Sequence, residues 1–122
     1  MPSRILEKDG AQVRVYRDSE ELALKAARRF ARLADQYVIG CNRFTVALSG
    51  GSTPKAMFAL LAQSPFVETV PWSSIYFFWG DERCVPPDHA DSNYRMTYET
   101  LLAKVPVPSA NIFRIAAELP SA

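Results

Sequence analysis

The sequence predicts an α/β fold, a Rossmann-like parallel sheet with helices on both faces. Two observations carry that expectation. Strand-like and helix-like patterns alternate along the 122 residues. Two apolar runs, Phe44-Thr45-Val46-Ala47-Leu48 and Ile75-Tyr76-Phe77-Phe78-Trp79, each lead straight into a glycine-bearing turn. Near-continuous apolar strands suit a sheet covered on both sides. Right-handed crossovers then bring both turns to the carboxyl edge of the sheet, where open α/β sheets bind ligands.

The elements follow in order. Gln12-Val13-Arg14-Val15-Tyr16 alternates polar and apolar residues and reads as a short strand. Asp18 followed by Glu21 makes a capping-box start, with aspartate in place of the usual hydroxyl residue. The helix it opens carries Leu22, Ala26, Phe30, Leu33 and Tyr37 on one stripe and stops at Gly40. Lys25, Arg28, Arg29 and Arg32 lie mostly off that stripe and read as a solvated face. Residues 43–48 form the second strand, and a helix from Pro54 to Gln63 ends near Ser64-Pro65. Trp72-Ser73-Ser74 introduces the third strand, whose bulky residues mark a buried central position rather than a platform for stacking bases. A polar, proline-bearing loop follows from Gly80 to Asp91. Asp91 or Ser92 caps a helix from Asn93 to Ala103, with Tyr94, Tyr98, Leu101 and Leu102 inward. Asn111-Ile112-Phe113-Arg114-Ile115 begins a fourth strand.

Composition bounds the function. The length suits one domain, and 48% hydrophobic with 22% charged residues is the balance of a globular protein. A net charge of +1 gives no electrostatic basis for binding nucleic acid or an anionic membrane, so any anion site must be local. No segment reaches the apolar length of a membrane span, and the N-terminal stretch from Met1 to Gly10 breaks into charges before a signal-peptide core could form. Cys41 and Cys84 are the only cysteines and fit neither a disulfide framework nor a metal spacing, which favours two reduced thiols in a cytoplasmic protein.

Chemistry concentrates at two places. Ser49-Gly50-Gly51-Ser52-Thr53-Pro54 joins a strand to a helix. Adjacent glycines let the backbone turn sharply and bring its N–H groups close to a ligand. Ser52 and Thr53 offer hydroxyls, and Pro54 suits the first helical turn, so the segment makes a place for an anion such as phosphate. An ordinary tight turn would use the same residues. Gly80-Asp81-Glu82-Arg83-Cys84-Val85-Pro86 leaves the aromatic strand. There Arg83 can grip a phosphate or carboxylate with two prongs, and Asp81 can accept from sugar hydroxyls or act as a base. A surface ion pair is the plainer alternative. His89 is the only histidine and sits among turn formers with no fixed partner. The glycine turn is too short for a nucleotide P-loop and lacks the closing glycine of a nucleophile elbow, and no Ser-His-Asp set can be assembled.

The segments Leu48-Ser49-Gly50-Gly51-Ser52-Thr53-Pro54, Trp72, Phe78-Trp79-Gly80-Asp81-Glu82-Arg83-Cys84-Val85-Pro86 and Asp88-His89-Ala90-Asp91-Ser92-Asn93-Tyr94 together resemble the 6-phosphogluconolactonase family. Leu101-Leu102, Val107-Pro108 and Asn111-Ile112-Phe113-Arg114-Ile115 continue the likeness, which runs from about Val13 onward. The resemblance implies hydrolysis of 6-phosphoglucono-1,5-lactone without a cofactor or metal, in the oxidative pentose phosphate pathway. It places Gly50, Gly51, Ser52 and Thr53 against the substrate's phosphate, Asp81 and Arg83 in the sugar site, and Asn93 at its mouth. The family's water-activating histidine lies in a Gly-x-Asp-Gly-His segment that does not occur in this chain. Residues 1–122 are therefore expected to be the N-terminal portion of a single lactonase domain, with an exposed sheet edge through which copies could associate. A glucosamine-6-phosphate deaminase or isomerase, or a non-catalytic phosphosugar-binding half-domain, is the alternative expectation.

Overall fold

The computed structural model of the chain describes residues 4–120, so Met1 to Ser3, at the start of the stretch read for a leader, and Ser121-Ala122 lie outside the described residues. Two strands, β1 (Arg4–Lys8) and β2 (Ala11–Val15), form an antiparallel hairpin. Asp9 and Gly10 both take positive φ, 50° and 80°, as a two-residue hairpin turn requires. The alternating pattern foretold β2, whereas β1 was not expected.

Helix α1 (Ser19–Cys41) starts where the capping pattern places it, with the Asp18 carboxylate accepting from the Glu21 N–H at 2.8 Å. It passes through Gly40 without stopping. Asn42 supplies the left-handed cap instead, at φ 64°, and donates its N–H to the Val38 carbonyl. Asparagine tolerates that conformation almost as well as glycine. The buried stripe is Ala23, Ala27, Phe30 and Ala34, so the expected stripe shares only Phe30 with it. Leu22 and Tyr37 are 38% and 44% exposed. Small alanines let α1 approach its neighbours closely, and the larger residues are left at the margin.

The rest of the chain builds β3 (Phe44–Leu48), α2 (Ser52–Leu61), the short α3 (Phe66–Thr69), β4 (Ile75–Trp79) and α4 (Asn93–Thr100). Strands β3 and β4 pair in parallel, in register from Phe44 with Ile75 to Leu48 with Trp79. Ile112 bridges Phe77 in parallel on the other side, and the Phe113 N–H donates to the Phe77 carbonyl at 2.9 Å. Strand β4 is thus central, as its residues predict, and the expected fourth strand is reduced to one bridge.

The sheet is covered on one face among the described residues. Phe44, Leu48, Ile75, Phe77 and Trp79 pack with Ala27 and Phe30 of α1, Phe58 and Leu61 of α2, and Leu101 and Leu102 after α4. Thr45, Ala47 and Phe78 point away and are exposed, and Phe78 stacks on Phe113 with ring centroids 4.8 Å apart. The Rossmann-like order of elements is therefore met, while the cover expected on both faces is present on one. Thr45 and Ala47, the two least bulky residues of their run, mark the open side.

Ser92 caps α4 by accepting from the Arg95 N–H. The helix ends at Thr100 rather than Ala103 and gives way to a 3₁₀ turn over Leu102–Lys104. Thr97 and Leu101 face the core, and Tyr98, expected inward, is 46% exposed. Trp79 takes up this face: its Nε1 donates to Thr97 Oγ1 at 3.3 Å, and its ring meets Tyr94 edge-on at 5.3 Å. Phe58 is fully buried in this cluster with residues of α1, β3 and β4. Phe58→Ala is predicted to destabilise the chain by about 3–5 kcal/mol, read as a lower urea midpoint with an unchanged slope.

Candidate functional site

The end of the parallel ladder brings the two sequence motifs together. Leu48 and Trp79 pair, and the Gly80 N–H extends the ladder by donating to the Leu48 carbonyl at 2.9 Å. Neighbouring strands lie about 4.8 Å apart, so the glycine turn and the Gly80 loop leave the sheet side by side.

Gly51 holds φ 106° and ψ 170°, a backbone region that side chains other than glycine's rarely enter. It forms the N-cap of α2 with no side chain capping it. The first intrahelical bond runs from the Lys55 N–H to the Gly51 carbonyl at 3.1 Å. The N–H groups of Ser52 and Thr53 precede it, and both residues are exposed. No acidic residue occupies the first turn. The result is an uncapped helix N-terminus with donors facing solvent, at the positive end of the helix dipole. Beneath it lies an apolar cavity of about 300 Å³, lined on this side by Ser49, Thr53, Pro54 and Met57.

In the second loop Glu82 turns inward while Asp81 and Arg83 stay exposed. The Glu82 Oε1 accepts from the N–H groups of Arg83 (2.8 Å) and Asn93 (2.7 Å). Its Oε2 accepts from the Ser92 hydroxyl (2.9 Å) and the Tyr94 N–H (3.0 Å). Burial raises the affinity of this carboxyl for a proton, but the four donors outweigh it and hold the group below its ordinary value of 4.5. The loop is thereby pinned to the start of α4.

Asn93 closes the gap between the loops. Its Nδ2 lies 3.3 Å from the Asp81 carbonyl and 3.4 Å from Asp81 Oδ1. Its Oδ1 sits only 2.1 Å from where a Cβ on Gly50 would stand. Gly50 has no unusual φ, so it is required here for space, and Gly51 for conformation.

Two of the basic groups close to this edge are already engaged. Arg95 pairs with Glu99 at 2.8 Å, and Arg114 grips Glu118 with two bonds of 2.7 and 2.9 Å, which lowers the Glu118 carboxyl to about 2. Among the described residues, Arg83 and Lys55 make no ion pair. His89, expected to lack a partner, accepts from the Asp91 N–H through Nδ1 at 3.0 Å and so helps shape the Pro87 to Ser92 turn. A larger groove of about 590 Å³ lies between β2 and α1 and includes no residue of either loop.

The structure therefore brings Gly50, Asn93 and Asp81 into contact, sets Gly51, Ser52 and Thr53 beside them, and leaves Arg83 on the same loop facing solvent. Glu82, which ties the second loop to α4, is not among the residues the sequence points to. Three of its four partners lie ten to twelve residues away in sequence, a separation no local pattern reveals.

The family model described as "Glucosamine-6-phosphate isomerases/6-phosphogluconolactonase" matches residues 17–122. A chloroplastic 6-phosphogluconolactonase 3 of Arabidopsis thaliana is 40% identical over 104 residues, which cover 85% of this chain and 32% of the relative. The solved 6-phosphogluconolactonase of Trypanosoma brucei is similar with a TM-score of 0.73 and 33% identity, over 86% of this chain and 40% of the other. A monomeric glucosamine-6-phosphate deaminase shares the fold, at a TM-score of 0.75 and 18% identity over 86% of this chain and 42% of its own. The chain thus spans less than half the length of each relative.

Two outcomes follow from the packing and the charge. Gly50→Ala drives a methyl into the Asn93 side chain and is predicted to cost about 1–3 kcal/mol. Adding Asn93→Ala removes the clashing atoms, so the double variant should recover most of that loss in urea denaturation. For Glu82 the folded value is lowered, so its stabilisation is present above the ordinary carboxylate range and is lost as pH falls through the folded value, below 4.5. The urea midpoint should fall on acidification below pH 4.5, and it should fall less steeply in Glu82→Gln.

Proposed function

The chain belongs to the glucosamine-6-phosphate isomerase/6-phosphogluconolactonase family, and we propose that it forms the substrate-holding part of a 6-phosphogluconolactonase. The observation that carries this reading is the contact of Gly50 with Asn93 and of Asn93 with Asp81, which sets an uncapped helix N-terminus beside an exposed carboxylate and guanidinium.

In this reading the phosphate of 6-phosphoglucono-1,5-lactone lies on Gly50, Gly51, Ser52 and Thr53. Backbone donors and the dipole of α2 favour a dianion there. Lys55 adds charge there without having to leave an existing ion pair, and Arg83, likewise without one, lines the sugar site. Asp81 accepts from the sugar hydroxyls, with Asn93 fixing its loop. Anchoring the phosphate converts attack on the lactone carbonyl into a positioned event. Water adds to the carbonyl carbon, the ring oxygen leaves and takes up a proton, and a carboxylate results. The proton of the attacking water needs a base. His89, exposed and engaged with the Asp91 backbone, does not supply it, and the resemblance assigns that role to a histidine segment this chain does not contain. The chain's own contribution is binding and orientation.

A cytoplasmic setting belongs to the same reading. Cys41 and Cys84 are exposed free thiols, and such thiols persist in a reducing compartment. No helix among the described residues is long and apolar enough to cross a membrane.

The test is calorimetric titration with 6-phosphogluconate, the product of the reaction. Arg83→Ala should weaken binding by about 1.5–3 kcal/mol, the range for a hydrogen bond to a charged group. Unchanged affinity would remove Arg83 from the site. Release of ammonia from glucosamine 6-phosphate, with no lactone turnover above the spontaneous rate in the same protein preparation, would favour the deaminase.

A further inference from the structure

We infer that Glu82 is a positioning residue that sets the distance between the two ligand loops without touching the ligand. The inference rests on the reading that both loops hold one phosphosugar. Each Glu82 oxygen accepts two hydrogen bonds, one of the four reaching its own loop at Arg83 and three reaching the start of α4 at Ser92, Asn93 and Tyr94. Asn93, placed by that cap, presses its Oδ1 against Gly50 on the first loop and turns its Nδ2 to Asp81 on the second. From the other side Trp79 fixes the same turn of helix, since Thr97 accepts from its indole and donates to the Asn93 carbonyl at 3.1 Å. The Gly-Gly turn and the Asp81 to Arg83 loop therefore move as one unit.

The arrangement demands a carboxylate. Four donors meet two oxygens, and both oxygens must be acceptors only. Glutamine at 82 has the same shape, but its NH₂ would face either the pair of N–H groups on one side or the hydroxyl and N–H on the other. Inward rotation of Glu82 has a second effect. It leaves its neighbours Asp81 and Arg83 facing out at the sheet edge.

The experiment uses the isotope-labelled 122-residue chain, first without ligand and then with two probes, 6-phosphogluconate and inorganic phosphate. In Glu82→Gln, amide exchange at Asn93 and Tyr94 should accelerate by about tenfold or more. The nuclear Overhauser contact between Gly50 and the Asn93 side-chain amide should weaken, while Val46 and Phe77 keep their protection. The affinity for 6-phosphogluconate should drop about tenfold or more, because that ligand needs both loops at one spacing. The affinity for inorganic phosphate, which needs only the first loop, should change by less than about twofold. Asn93→Ala should give the same selective loss without faster exchange at Tyr94, and the double variant should be no worse than the single ones.

A retained Gly50–Asn93 contact in Glu82→Gln, or an equal loss of both probes, would overturn the inference. Should Glu82→Gln fail to fold, unchanged 6-phosphogluconate affinity in Asn93→Ala would overturn it instead. A wild-type chain that binds neither probe would refute the functional reading, and the ligand-free exchange and contact measurements would still decide the coupling.

Discussion

The carboxylate of Glu82 is the interaction on which the site's geometry depends. Its two oxygens gather two backbone N–H groups and one hydroxyl at the N-terminus of α4, together with the Arg83 N–H of its own loop. Hydrogen bonds to a charged group contribute more than neutral ones, on the order of 1.5–3 kcal/mol each before non-additivity. The neighbouring ion pair of Arg95 with Glu99 is an exposed i,i+4 contact that solvent screens, so it contributes little. Among charged interactions, then, the loop-to-helix cap dominates. The pairing of β3 with β4 brings two loops out at one edge, and Glu82 decides how far apart they stand.

Ligand electrostatics at that edge come from placement rather than from total charge. With a net charge of +1 the surface as a whole offers an anion little. An uncapped α2 N-terminus, with Arg83 and Lys55 making no ion pair among the described residues, supplies local positive charge at that edge. Glycine serves two separate needs there. Gly51 supplies a backbone conformation, and Gly50 supplies the room that lets Asn93 approach. The helices that hold the edge in place pack on a single sheet face, leaving Phe78 and Phe113 stacked on the other.

Much of this was legible in the sequence, for identifiable reasons. Strands β3 and β4, the turn to α2 and the Ser92 cap are local patterns of apolar runs, glycine pairs and hydroxyl caps, and each stands where those patterns place it. Where side-chain size competed with hydrophobicity, pattern reading failed. The pattern puts Leu22, Ala26, Phe30, Leu33 and Tyr37 on the α1 stripe, but close packing keeps only Phe30 of these and selects Ala23, Ala27 and Ala34 beside it. Gly40 resembled a helix stop, yet Asn42 two residues later holds the left-handed cap. The hairpin strand β1 has too short a pattern to stand out by itself, although Asp9-Gly10 is a strong turn signal. At the site, residue types and loop positions could be read from the motifs. The role of Glu82 and the fit of Asn93 to Gly50 arise from contacts between segments 10 to 43 positions apart, and only the folded chain displays them.

The most direct test of the account is a crystal structure of the chain with bound 6-phosphogluconate. The account predicts the phosphate on the N–H groups at the start of α2 and the sugar hydroxyls within hydrogen-bond reach of Asp81 and Arg83, with Asn93 still against Gly50. A ligand found instead in the groove between β2 and α1, beside Arg14, Lys25 and Arg29, would contradict it.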